Sequence, residues 1–163
     1  MAIQFKNKTL QEYADQLSRR EPVPGGGSAA AFTAALGVGL ISMVTNYSLG
    51  RKANTQAVDK RLAKILAVSE PMRLRLLELT SLDSEAYLKV SAARTLDKKA
   101  QKQAALEAKA VPQEVCKICY KAIQLTPFLV DKGNPWLLSD VQVAIELLEA
   151  SFKGAAVMVR INS

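Results

Sequence analysis

Three clusters in the sequence hold residue types at spacings that can do chemistry. Pro22-Val-Pro-Gly-Gly-Gly-Ser28 leads into a long run of small residues. Successive glycine N–H groups at a helix amino terminus form a concave positive site for a phosphate, a carboxylate or a polarised carbonyl. The same glycines also suit a tight connection between closely packed helices. On the ligand reading, valine at Gly26 costs affinity more than fold, because a branched side chain blocks both backbone approach and positive φ. The second cluster, Ser81-Leu-Asp-Ser-Glu-Ala-Tyr87, places Asp83 and Tyr87 four residues apart on one helix face, with Thr80 and Ser84 alongside. A helical aspartate is commonly just solvated, but one facing an apolar wall gains an elevated pKa and can move protons. The third cluster joins the turn Gly133-Asn134-Pro135 to Ser139-Asp140, where a helix cap and a first-turn acid are the structural alternatives.

The chain has no histidine, so acid/base work falls to Asp, Glu, Lys, Tyr or Cys, and histidine-based triads and zinc sites are excluded within one chain. Its two cysteines, Cys116 and Cys119, share a helix face; without two further soft ligands or a strand-to-helix junction they read as a packed pair, not a metal or redox site. The net charge of +7 is local: residues 51–75 hold seven basic and two acidic residues, and residues 94–121 hold seven and three. Such an excess favours anionic partners. Neither segment has the arginine runs, zinc-finger spacing or interleaved aromatics of a nucleic-acid binder, so nucleic acid is not expected as a partner. Reduced thiols and a polar start from Met1 to Lys8 suit a cytoplasmic location.

These clusters must be positioned by helices. Thr9 with Glu12 makes a capping box for a first helix over about 9–20, and two prolines and three glycines then force a loop. The uncharged stretch that follows is long enough to span a bilayer, yet it is mostly Ala, Gly, Ser and Thr, which suits a buried core helix over about 28–49 ended by Gly50. Helical periodicity continues over 57–93, where Pro71 should kink or break the helix, and over 96–125, where Pro112 should interrupt it. Ser139 with Gln142 predicts a second capping box and a last helix over about 140–160. No stretch alternates strictly between hairpin turns. The expectation is all-α: one domain over 1–163, a bundle of about five helical segments, pairing through its small-residue helix as a homodimer.

Taken in order, PVPGGGSAAAFTAALG, Asn46-Tyr-Ser-Leu-Gly-Arg-Lys52, LDSEAY, GN-x-x-x-x-SDVQVA and GAA-x-MVRIN resemble the cyclodeaminase/cyclohydrolase family. This is the family of formiminotetrahydrofolate cyclodeaminase, and the likeness runs from about Thr9 to Asn162. Its members often carry a further acidic residue where Ser81 stands. The resemblance implies an all-helical cytoplasmic homodimer with a tetrahydrofolate substrate and no metal or cofactor. It implies Asp83 as proton carrier, oriented by Tyr87. Gly25, Gly26, Gly27 and Ser28 would line the pterin or bridge region, with Asn134, Ser139 and Asp140 opposite. Arg51 and Lys52 would hold the carboxylates of the folate tail, including a polyglutamate one. Cyclodeaminase is the first reading and cyclohydrolase the second; a non-catalytic folate- or anion-binding dimer and a basic nucleic-acid-binding bundle are the rivals.

Overall fold

The computed structural model describes residues 4–162, and among these every regular element is helical. A 3-10 turn at Phe5–Asn7 precedes α1 (Leu10–Ser18), α2 (Gly26–Ser48), α3 (Gln56–Ala93), α4 (Lys98–Ile123), α5 (Thr126–Lys132) and α6 (Leu138–Ile161). The five expected segments correspond to the five longer helices. The seven-residue α5 is additional, started by Pro127 in its first turn.

Local chemistry explains most boundaries. Thr9 Oγ1 accepts the Glu12 N–H at 3.1 Å while the Glu12 carboxylate accepts the Thr9 N–H at 2.7 Å, so the first capping box forms. Gly50, at φ +67°, takes the left-handed position just beyond α2. The second capping box does not form. The Pro135–Leu137 3-10 turn runs straight into α6, which opens at Leu138, so Ser139 falls inside the first turn instead of ahead of it. Nor is either long helix broken at its proline. Pro71 deprives the Ala67 carbonyl of its usual donor, but both residues are exposed and water can serve there. Pro112 is buried; the Ala108 carbonyl it frees accepts instead from Asn162 Nδ2, at 3.5 Å.

The bundle is built around α2, which packs chiefly on α3 and α6, while α4 closes the far side against α3 and α6. Small residues allow this. A Cβ on Gly37 would lie 2.9 Å from Leu148 Cγ, so α2 and α6 meet at a distance only glycine permits there. Ala31, Ala34, Ala35, Val38, Ile41 and Val44 bury the inner face of α2. Its hydroxyls are satisfied locally: Thr45 and Ser48 donate to the Ile41 and Val44 carbonyls at 2.7 and 2.6 Å, and Ser42 bonds Ser69 of α3 at 2.8 Å. Among the described residues α2 is the one helix long and apolar enough to cross a membrane; here it is the core helix of the bundle.

Candidate active site

The amino terminus of α2 abuts the second half of α3, and the contact is made by Gly27 and Asp83. A Cβ on Gly27 would overlap the Asp83 carboxyl group, so the carboxylate occupies the space that any side chain at position 27 would need. The Ser28 N–H, one of the helix-end amides without an intrahelical partner, hydrogen-bonds to that carboxylate. Burial raises the Asp83 pKa above its ordinary value, and the Ser28 N–H partly opposes this. The positive helix end is thus met from within the chain by a carboxyl group whose proton affinity is enhanced.

Ser28 also reaches outward. Its hydroxyl shares a 3.0 Å hydrogen bond with the Tyr13 phenol of α1. Tyr13 is buried edge-on to Phe5 and tilted against Phe32, and its pKa is raised by burial and by the nearby Asp83 charge, although the Ser28 bond acts the other way. Ser81 accepts the Phe5 backbone N–H at 3.0 Å, so the position that is often acidic in the resembling family here ties down the chain's first turn.

Beside Asp83 opens a cavity of about 410 Å³. Asp83, Tyr87, Val90 and Arg94 form one wall; Pro22, Val23, Gly25 and Gly26 form the rim before and at the start of α2; Ala108, Met158 and Asn162 close it. Tyr87 is 43% exposed. The carboxylate is oriented by Gly27 and Ser28, and no hydrogen bond between Tyr87 and Asp83 occurs among the described residues; Tyr87 is a wall of the cavity.

Two sequence expectations change at the glycines. None of Gly25, Gly26 and Gly27 has positive φ. A Cβ on Gly25 would meet nothing within 4 Å, and one on Gly26 would only touch Met158 Sδ at 4.0 Å. The packing requirement falls on Gly27; at Gly26 the positive-φ ground for the Val substitution is gone, while a side chain there would still project beside the cavity that Gly26 lines.

The remaining predicted site residues lie elsewhere in the chain. Arg51 donates to the Gly133 carbonyl at 2.9 Å, and the Asn134 N–H donates to Ser48 Oγ at 2.8 Å, fastening the carboxyl end of α2 to the turn before α6. Arg51, Asn54, Gly133 and Asn134 border a second cavity of about 340 Å³. Lys52 and Ser139 are exposed nearby in sequence, and Asp140 sits in the first turn of α6. This end is separated from Gly27 by the length of α2, about 34 Å for 23 residues. Within one chain, Asn134, Ser139 and Asp140 therefore do not face the glycines, and Arg51 and Lys52 do not border the Asp83 cavity. Cys119 is fully buried with its thiol pushed up to about 12 by burial, which suits packing.

Sequence reasoning missed Tyr13, Arg94 and Asn162. Tyr13 reads as part of an apolar stripe, and only the fold brings it to Ser28. Arg94 could have been found, because it continues the helical spacing that begins at Asp83 and Tyr87.

Comparison with known proteins now decides the family. The sequence profile described as formiminotransferase-cyclodeaminase matches residues 9–163. The chain belongs to this family. A methenyltetrahydrofolate cyclohydrolase of Methylorubrum extorquens is 33% identical over 167 residues, covering 96% of this chain and 80% of that protein. The formimidoyltransferase-cyclodeaminase of Rattus norvegicus is 29% identical, and this chain spans only 30% of its length. The crystal structure of a formiminotetrahydrofolate cyclodeaminase from Thermotoga maritima superposes with a TM-score of 0.93 at 30% identity, over 96% of this chain and 79% of that one.

The raised Asp83 pKa carries a stability signature. The ionised carboxylate costs the folded state stability at pH values above its folded pKa, and the cost disappears as pH falls below the unfolded value. Asp83→Asn keeps an acceptor for Ser28 without that cost. Thermal melts should show the Asn variant at least as stable as wild type at pH 7, with the difference narrowing as pH falls towards the ordinary aspartate range. An Asn variant much less stable at pH 7 would mark Asp83 as a charged structural cap.

Proposed function

We propose that this protein makes or opens the one-carbon bridge between N5 and N10 of tetrahydrofolate, with formiminotetrahydrofolate cyclodeaminase as the leading reaction. The observation that carries the reading is the Asp83 carboxyl group, held by Gly27 and Ser28 on the wall of a cavity and raised in pKa by burial. In cyclodeamination, N10 attacks the formimino carbon and gives up its proton. The substrate reacts as its formiminium cation, so attack leaves an –NH2 on the tetrahedral carbon, which takes a proton and departs as ammonia as the 5,10-methenyl cation forms. A carboxyl group poised nearer neutrality than a free aspartate can take the first proton, deliver the second and then face the cation as a carboxylate. Cyclohydrolase is the second reading, favoured by the 33%-identical Methylorubrum relative. There water attacks the methenyl carbon and Asp83 accepts a proton from it; Asp83 then protonates N5 as the N5–C bond breaks, and the hydroxyl of the tetrahedral intermediate loses its proton to water to leave 10-formyltetrahydrofolate. Both reactions need only substrate, water and side chains.

We extend the proposal to a soluble cytoplasmic homodimer. On α2, Ala29, Thr33, Leu36, Leu40, Met43 and Tyr47 recur at spacings of four and three, all partly or fully exposed and none charged. On α6, Val143, Leu147, Ala150, Gly154, Val157 and Ile161 repeat the same pattern. Paired uncharged stripes of this spacing suit helix packing against a second copy. A twofold axis perpendicular to α2 would set the Asn134–Asp140 end of one copy beside the Gly25–Ser28 end of the other. Residues about 34 Å apart in one chain would then meet across the interface.

Two measurements test these readings. Absorbance assays should show methenyltetrahydrofolate appearing from the formimino substrate, or disappearing faster than its spontaneous hydrolysis, and Asp83→Asn should lower turnover by about 10²–10⁴-fold while binding survives better. Wild-type turnover in the folded Asn variant would remove Asp83 from the chemistry. Leu36→Glu, at a half-exposed stripe position, should yield a helical monomer by light scattering with turnover lost. An active monomer would refute the shared site.

A further inference from the structure

Asp83, Tyr87, Val90 and Arg94 follow one another at spacings of four, three and four, and all four line the same cavity wall. They form a single stripe along α3, about 16 Å from end to end. The ends are opposite in sign: a carboxyl group at the start, a guanidinium at the finish. Between them lie only an aromatic ring and a branched aliphatic side chain. The arginines within α3 are already engaged: Arg61 lies over the Phe128 ring at 6.0 Å, Arg73 is paired with Glu70 at 2.7 Å, and Arg75 with Glu78 and Glu114 at 2.9 and 2.8 Å. Among the described residues, no salt bridge holds the Arg94 guanidinium, although the residue is exposed at the C-cap of α3.

A cation left unpaired at one end of an apolar slot whose other end carries the proton donor suits an elongated ligand. Such a ligand has a reacting nitrogen-rich head, a flat middle and an anionic tail. We propose that Arg94 binds the tail carboxylate of the substrate and thereby fixes which end of the molecule reaches Asp83. The inference rests on the folate reading above and moves tail recognition from Arg51 and Lys52 to Arg94. The planar guanidinium fork matches a carboxylate with two parallel hydrogen bonds, whereas a lysine supplies only a point charge. Arg94 is a specificity residue in this scheme and takes no part in proton transfer.

Steady-state kinetics can test it with two substrates, the monoglutamate form and its pteroate analogue lacking the glutamate. Arg94→Gln should raise KM for the monoglutamate form about 10-fold with kcat little changed, and should leave KM for the analogue unaltered. Arg94→Lys should recover part of the loss. The wild-type preference for the monoglutamate should shrink as salt is added, a response that a merely structural C-cap role would not give. An active Arg94→Gln enzyme with unchanged KM for the monoglutamate overturns the inference and leaves the proposed function standing. If wild type turns over neither compound, the proposed reaction falls, and calorimetric titration of the monoglutamate reads the subsite directly. Binding by wild type that weakens in Arg94→Gln then supports the subsite; equal binding, or none, overturns it.

Discussion

A carboxyl group lying where a side chain would otherwise be is the constraint on which this structure turns. Asp83 fills the space over Gly27, accepts the Ser28 N–H and is raised in pKa by burial. Each part depends on the others. A Cβ at position 27 would drive the carboxylate away from the helix end; without the carboxylate, the Ser28 amide would lose its acceptor. The favourable N–H contact does not outweigh desolvation, so the group holds its proton more tightly than a free aspartate does. That is the property an acid or base for nitrogen chemistry needs near neutrality.

Small residues extend the same logic through the bundle. Gly37 brings α2 against Leu148, and the Ser42–Ser69 pair joins α2 to α3 through hydroxyls that satisfy each other. Close packing fixes the position of the α2 amino terminus relative to α3 with little aromatic mass; one of the few large rings, Tyr13, is spent on Ser28. The opposite end of α2 is fastened by Arg51, Ser48 and Asn134. The proposed twofold pairing would draw on both anchored ends of this helix, one from each copy.

Much of this was legible in the sequence, and the reasons differ by element. Helical periodicity, the Thr9–Glu12 box and Gly50 are local signals, and local hydrogen bonds realise them. Pro71 and Pro112 misled because a lost helical bond is damaging only where nothing replaces it; Ala67 is open to solvent, and Asn162 serves at Ala108. Ser139 misled because the 3-10 turn before it moved the helix start two residues earlier. Asp83 was found through its apolar helical context. Its pairing with Gly27, and Tyr13 with Ser28, joins residues on different helices, which periodicity within one helix does not encode. The separation of Asn134 from the glycines follows from the length of α2, a quantity readable from the sequence once that helix is taken as straight.

The most direct measurement is a titration of the Asp83 side-chain carboxyl carbon by NMR, assigned by its absence in Asp83→Asn. Burial of the carboxyl group should place the midpoint clearly above the ordinary value of 3.8. A midpoint at or below 3.8 would show that the Ser28 N–H and the helix end dominate over burial, and would contradict Asp83 as the proton carrier.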